Sequence, residues 1–398
     1  MKWTSLIASI LLVFCQFAHS LPATWERNER LSETGRFNPY EVPTNKLSET
    51  RRNGLLHALN YPVKVTGALL PLIPIQEALD DTDSNPLKRF MKKLAKSLSG
   101  IESFDHLQNW LGLHEYPLQS GKGVYEVPFE HKRRPEFRMG FTELQYKGVR
   151  SFTFSCATCH SANLFGERII GLTNRFPKAN RLFVKAKKAI AQLTPIQFKY
   201  FTGASQDEMK VYKRTRYNLQ FVESKNPVQL GLDTSLAHVA LSLTRRGKDP
   251  YAKKDKRKAL IPDPTRLRYH PADSKPGVWW NVKYKNRFLL DGSVVSGNPI
   301  WTNILWNEIG RGVDLRELED WLNENDDIIK ELTTAVFTSE APPITDFFNV
   351  DRIDITKAQR GEKLYLNNCK KCHGVYVKNW SRFSEDELSK SQFIKTAE

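Results

Sequence analysis

Cysteine and methionine are both scarce, with five cysteines and four methionines in 398 residues. Four of the five cysteines sit in two Cys-x-x-Cys-His motifs, Cys156-Ala-Thr-Cys159-His160 and Cys369-Lys-Lys-Cys372-His373. Once Cys15 near the start is set aside, none is left for a separate structural disulfide, which excludes a disulfide scaffold. A chain of this length has no need of one, because it can form two or three domains, each with its own interior. Long apolar runs are also lacking. After the first twenty residues the most apolar stretch, Val65 to Ile75, is short and broken by Pro71 and Pro74, so no membrane-spanning helix is predicted. Acidic residues are outnumbered, 44 against 60 lysines and arginines, for a formal net charge of +16. An excess of this sign attracts acidic partners, such as an acidic electron-transfer protein or an anionic membrane surface.

What is present begins with a leader pattern. Lys2 supplies a positive start, Leu6 to Phe17 an apolar stretch, and Ala18-His19-Ser20 a small-x-small cleavage site, so residues 1–20 are expected to be a secretory signal and the mature chain periplasmic. Lipidation at Cys15 is the competing reading, but bulky Phe14 stands where a small residue is the rule. Export also argues against nucleic acid as a partner.

Covalent haem attachment needs two thiols for the two vinyl groups and an adjacent histidine for the iron, and Cys-x-x-Cys-His provides all three within one helical turn. The expected cofactor is therefore two covalently bound haem c groups, held by Cys156, Cys159 and His160 and by Cys369, Cys372 and His373, with His160 and His373 as axial iron ligands. A thioredoxin-like redox pair and a four-thiolate zinc site are the blander readings; the histidine after each pair argues against both. The redox pair would also want a βαβ context, whereas Cys369 follows a helical pattern over 356–368 with Leu364 and Tyr365 on its apolar side.

The organisation follows from the punctuation. An N-terminal region, 21–149, is rich in charge and proline. A first haem domain with insertions is expected over 150–340 and a second over 350–398, with Ala341-Pro342-Pro343 marking the boundary. Leu87, Phe90, Met91, Leu94 and Leu98 recur at helical spacing among Lys88, Arg89, Lys92, Lys93 and Lys96, which predicts a basic amphipathic helix. Either it packs on the body, or it docks an acidic donor or a membrane. A second basic cluster, 245–258, is predicted to be a solvated loop. Further helices are expected over 179–193 and from Asp314, with Glu317 reaching back in a capping box. A short capped segment is expected at 384–387.

The order of these motifs, with Gly171-Leu-Thr-Asn-Arg175 and Gly277-Val-Trp-Trp-Asn-Val-Lys-Tyr-Lys-Asn-Arg-Phe-Leu-Leu-Asp-Gly-Ser293 between them and Gly361 to Gly374 after, resembles the bacterial di-haem cytochrome c peroxidase superfamily, and most closely its rubber-oxygenase branch. The resemblance covers roughly 150–375. It implies a mostly α fold with two cytochrome c-like haem domains, in which one haem stores or passes electrons while peroxide or dioxygen reacts at the other. Related motifs carry a histidine before the Asp-Gly pair; here that place is Leu290, which cannot bind iron.

A second iron ligand must come from a short roster: Met91, Met139 and Met209, or His57, His106, His114, His131, His238 and His270. His238, in an apolar helical pattern, is the leading candidate for a distal ligand or acid-base group, with a hydrogen-bonded core histidine as the equal alternative. Trp279 and Trp280 are candidate electron relays between haems, or core packing. Only 25 residues follow His373, so the second haem domain is expected to be truncated, its iron to be five-coordinate, or its second ligand to come from upstream. Two functions stay open: a haem-dependent oxidoreductase of peroxidase or dioxygenase type, and a non-enzymatic electron carrier with two six-coordinate haems.

Overall fold

The computed structural model describes Trp25, Ser242 and residues 35–80, 84–129, 134–222, 276–288 and 297–369. The chain opens with α1 (Thr44–Asn60), a two-residue strand β1 (Leu70–Pro71), α2 (Leu72–Ala78), α3 (Pro86–Ser99) and α4 (Phe104–Trp110). Strands β2 (Phe141–Tyr146), β3 (Val149–Phe154), β4 (Ser161–Leu164) and β5 (Glu167–Ile170) follow. Then come α5 (Ala179–Gln192), α6 (Pro195–Thr202), α7 (Gln206–Asn218), α8 (Pro299–Gly310), α9 (Leu315–Glu324), α10 (Asp326–Phe337) and α11 (Ile355–Asn368). The described residues are mostly helical with few strands, in keeping with the expected fold class.

The helix boundaries have local chemical causes. Asn85 accepts from the Leu87 and Lys88 amides, Pro86 fills the first position of α3, and left-handed Gly100 ends it. The capping box predicted at Asp314 is half present. Asp314 caps α9 through the Arg316 and Glu317 amides, but the Glu317 carboxylate turns away to accept from Arg214 Nη2 at 2.6 Å. A full charge in reach outcompetes a neutral backbone donor. Two complete capping boxes lie elsewhere, Thr194 with Gln197 at α6 and Ser205 with Glu208 at α7.

The main core lies between α1 and α10. Leu55, Ala58 and Leu59 share one cluster with Ile329, Leu332, Ala335, Val336 and Phe337, extended by Leu318, Trp321 and Leu322 of α9. Each buried Leu, Ile, Val or Phe among them contributes about 1.5–3 kcal/mol, so this pair of helices carries much of the stability. Antiparallel strands in the order β1-β3-β2 form the sheet. Phe141 pairs with Phe154 across it, and an aromatic layer of Phe104, Phe137, Phe141 and Phe152 covers one face. The stacked Phe141 and Phe152 rings lie 4.9 Å apart, in the range where such pairs add about 0.5–1.5 kcal/mol beyond burial. A third cluster forms where α5, α6 and α7 meet, with Phe198 stacked on Tyr212.

The sheet and the α1–α10 pair between them position the first motif. Only Ser155 separates Cys156 from the end of β3, and β4–β5 form a second hairpin immediately beyond His160.

Candidate functional site

The first motif does not sit in a regular helix. Cys156–Thr158 forms a single 3-10 turn between β3 and β4, closed by bonds from the Cys159 and His160 amides to the Cys156 carbonyl at 3.2 and 3.0 Å. The two thiols and the imidazole still fall within one turn, which is all the attachment chemistry asks of the backbone.

Neighbours on three sides fix this turn. Gly140, at φ +95°, lets the turn lie directly on the start of β2: a Cβ there would come within 2.6 Å of Thr158 Cα. The Gly140 carbonyl accepts from the Ser155 amide and from Thr158 Oγ1, both at 2.9 Å. Buried Asn174 donates its side-chain amide to the carbonyls of Thr158 and Gly112, and its backbone amide to Cys159. Gly171 takes the third side. Its amide donates to the His160 carbonyl at 2.7 Å and its own carbonyl accepts from Trp279 at 2.9 Å. At φ +91° it leaves the place of a Cβ to the Trp279 side chain, 3.1 Å away.

His160 and Trp279 are thereby brought together, with ring centroids 5.5 Å apart and tilted by 42°. Trp279 also belongs to the main core, so packing and contact with the motif are one role rather than rivals. Trp280, half-buried on the same 3-10 segment, has no described contact with the motif.

A charged cluster lies behind the turn. Glu308 is fully buried and accepts from Tyr61 Oη at 2.6 Å, Thr66 Oγ1 and the Gly67 amide at 3.0 Å, and Arg311 Nη1 at 3.2 Å. Arg311 in turn donates to the Phe154 carbonyl, two residues before Cys156, and lies 4.5 Å over the Tyr61 ring. Burial pushes the Cys156 thiol up to about 11, with the Arg311 charge opposing and Glu308 adding to the rise. Burial alone lowers His160 to about 4. The thiol is thus held protonated and the imidazole neutral at ordinary pH, and Cys156 and Cys159 are free of any disulfide.

Three of the buried polar atoms without a hydrogen-bond partner among the described residues gather here: Ser155 Oγ, His160 Nδ1 and His114 Nε2. His114 is tied to the same loop, since it bonds Asn174 and its carbonyl accepts from Met139 beside Gly140. Burial, with Arg168 and Arg138 nearby, lowers its pKa. Orphaned buried polar atoms each cost about 1–3 kcal/mol, and two of these three lie on the motif and the residue before it. Two reduced thiols and a neutral imidazole with an unpartnered buried nitrogen are a donor set that fits a covalently bound haem. Of the other described histidines, His57 is bonded to Glu331 at 2.7 Å and His106 caps the Glu102 amide at 3.1 Å.

At the second motif only Cys369 is described. It ends α11, donating its amide to Tyr365 at 2.8 Å. Cys372 and His373 lie outside the described residues, as do His131, His238, His270, Leu290 and the segments 245–258 and 384–387. Phe165, at the tip of the β4–β5 hairpin, meets Phe347 and Phe348 at 5.2 and 5.1 Å, in the segment leading to α11.

Sequence reasoning missed the Glu308 cluster, although an acid inside the apolar run of α8 was a visible signal. It had singled out the segment 171–175, but not the part that Gly171 and Asn174 play in gripping the turn. No protein-family profile, no curated protein and no solved structure matches the chain.

Proposed function

We propose that this chain is an exported di-haem c-type cytochrome of the di-haem peroxidase superfamily acting as a redox enzyme. One haem is held by Cys156, Cys159 and His160 and the other by Cys369, Cys372 and His373. The observation that carries the reading is the placement, on one 3-10 turn and its flanking residues, of two cysteine thiols and a neutral imidazole, with the orphaned atoms of Ser155 and His160.

The chain's own groups have defined tasks in this reading. The buried thiol of Cys156, kept protonated, resists oxidation to a disulfide with Cys159 before attachment. Neutral His160 offers a ring nitrogen to iron without first losing a proton, and Trp279 against its ring restricts its rotation. Gly140, Asn174 and Gly171 hold the turn so that thiols and imidazole keep their mutual placement. When bound, haem supplies the one-electron chemistry that activates peroxide or dioxygen at an open iron face.

The test is the haem content and spectrum of chain matured in the periplasm. The parent is expected to carry two covalent haems, and the Cys156→Ser/Cys159→Ser and Cys369→Ser/Cys372→Ser variants one each. A colourless parent sinks the cofactor assignment. A high-spin band with carbon monoxide binding supports the enzyme; two low-spin haems that bind no carbon monoxide would make the chain an electron carrier instead.

A further inference from the structure

The basic amphipathic helix predicted from the sequence is present as α3, and two apolar residues of its first turns face away from the body while Lys92 is buried. Leu87 is 58% and Phe90 63% exposed, and neither joins any of the hydrophobic clusters. On the neighbouring helix α6, Ile196 is 83% and Tyr200 47% exposed, one turn apart on one face. The two helices meet where Lys88 Nζ lies 5.2 Å over the Tyr200 ring. Four large apolar side chains therefore form one exposed surface with a lysine laid across it.

The three helices α3, α5 and α6 carry charge of one sign. Five lysines and arginines lie on α3, four on α5, which packs with α6 in a shared cluster, and one on α6, and none of the three helices carries an aspartate or glutamate. Eight of these are lysines and only two, Arg89 and Arg181, are arginines. The composition separates two kinds of partner. Protein interfaces are depleted in lysine and enriched in arginine at their centres. A bilayer surface suits lysine, whose stem lies along apolar contacts while the ammonium reaches the headgroups, and it takes up Phe, Leu, Ile and Tyr from helices lying in its plane.

We infer that the α3–α6 surface docks this protein on an anionic lipid bilayer, with Leu87, Phe90, Ile196 and Tyr200 entering the headgroup boundary and the exposed Arg89, Lys93, Lys188 and Lys199 meeting acidic headgroups. Among the described residues no helix is long and apolar enough to cross a membrane, so the contact is peripheral. Each cation near an anionic surface strengthens partitioning about five-fold, and a buried side chain the size of Leu or Phe about ten-fold or more.

Sedimentation of the full chain with vesicles tests this. Vesicles of equal parts phosphatidylglycerol and phosphatidylcholine are expected to pellet it, and vesicles of phosphatidylcholine alone to do so at least ten-fold less. Leu87→Ser/Phe90→Ser should weaken partitioning to the anionic vesicles at least ten-fold with an unchanged circular dichroism spectrum, since both side chains are exposed. Equal pelleting of parent and variant would reduce the surface to non-specific charge and overturn the inference. So would retention on immobilised polyglutamate without pelleting on anionic vesicles, which would assign the surface to an acidic protein.

Discussion

The same Cys-x-x-Cys-His signature occurs twice, and the two copies have different surroundings. The first follows a strand, is gripped by Gly140, Asn174 and the Gly171–Trp279 pair, and backs onto a buried carboxylate–guanidinium cluster. The second is reached through α11, which buries none of its residues, leaves Leu364 exposed, and has nothing described within 4 Å of a Cβ placed on Gly361. A short motif sets the residue types of the turn, whereas its protonation state and rigidity come from groups far away in sequence, such as Glu308 and Trp279.

The contrast can be broken first at Glu308. Glu308→Ala removes four hydrogen bonds and leaves Arg311 a buried charge without its partner, which costs about 3–5 kcal/mol. Chemical unfolding of the variant checks this. A loss below about 1 kcal/mol would mean that the cluster does not brace the first motif.

A smaller effect should appear with pH in chain lacking the first haem, obtained as Cys156→Ser/Cys159→Ser. His160 is held neutral down to about 4 when folded, while the unfolded imidazole protonates near 6.5. The unfolded state therefore binds more protons between those limits, and stability falls as pH drops from about 6.5 to 4, by roughly 2–3 kcal/mol, levelling off below. His114, shifted in the same direction, adds to the slope. Adding His160→Phe should flatten most of it; an unchanged slope would show that burial of His160 is not its source.

Smaller again is Gly171→Ala. The added methyl meets Trp279 at a backbone angle of +91°, which costs about 1–2 kcal/mol and displaces the indole from His160. The readouts are the unfolding midpoint and the spectrum of the first haem, with the second haem's bands unchanged.

Much of the helical layout was legible in sequence because its signals are local. The α3 pattern, the α5 pattern, the Asp314 cap and the helix before Cys369 all rest on spacing within one or two turns. What remained hidden depends on tertiary proximity. Nothing near Glu317 in sequence announces Arg214, and nothing near Cys156 announces Glu308 and Arg311, about 150 residues on. Spacing also gave the apolar stripe of α3 without saying which way it faces, because an amphipathic helix reads the same on a core as on a bilayer. At the site, the pairs of cysteines and their histidines were evident, and Trp279, singled out with Trp280 as a relay or a core residue, lies in the main core against His160. The fact that a turn between strands carries the first motif was not, since Cys-Ala-Thr-Cys fits either backbone.

The smallest expected effect is the most informative about the second motif. Leu364 looks like a core residue by sequence, three quarters of the way along α11 and one helical turn from Arg360, yet it is exposed. If α11 stands clear of the body as described, Leu364→Ser changes stability by no more than about 0.5 kcal/mol, as an exposed helical position should. The same substitution at Leu332 of α10, fully within the main core, is expected to cost several times as much, about 2–5 kcal/mol. If instead both cost the same in chain carrying both haems, Leu364 is covered once the second haem is attached. The two motifs would then differ in when their frames assemble, the first being built by the polypeptide alone and the second only around its cofactor.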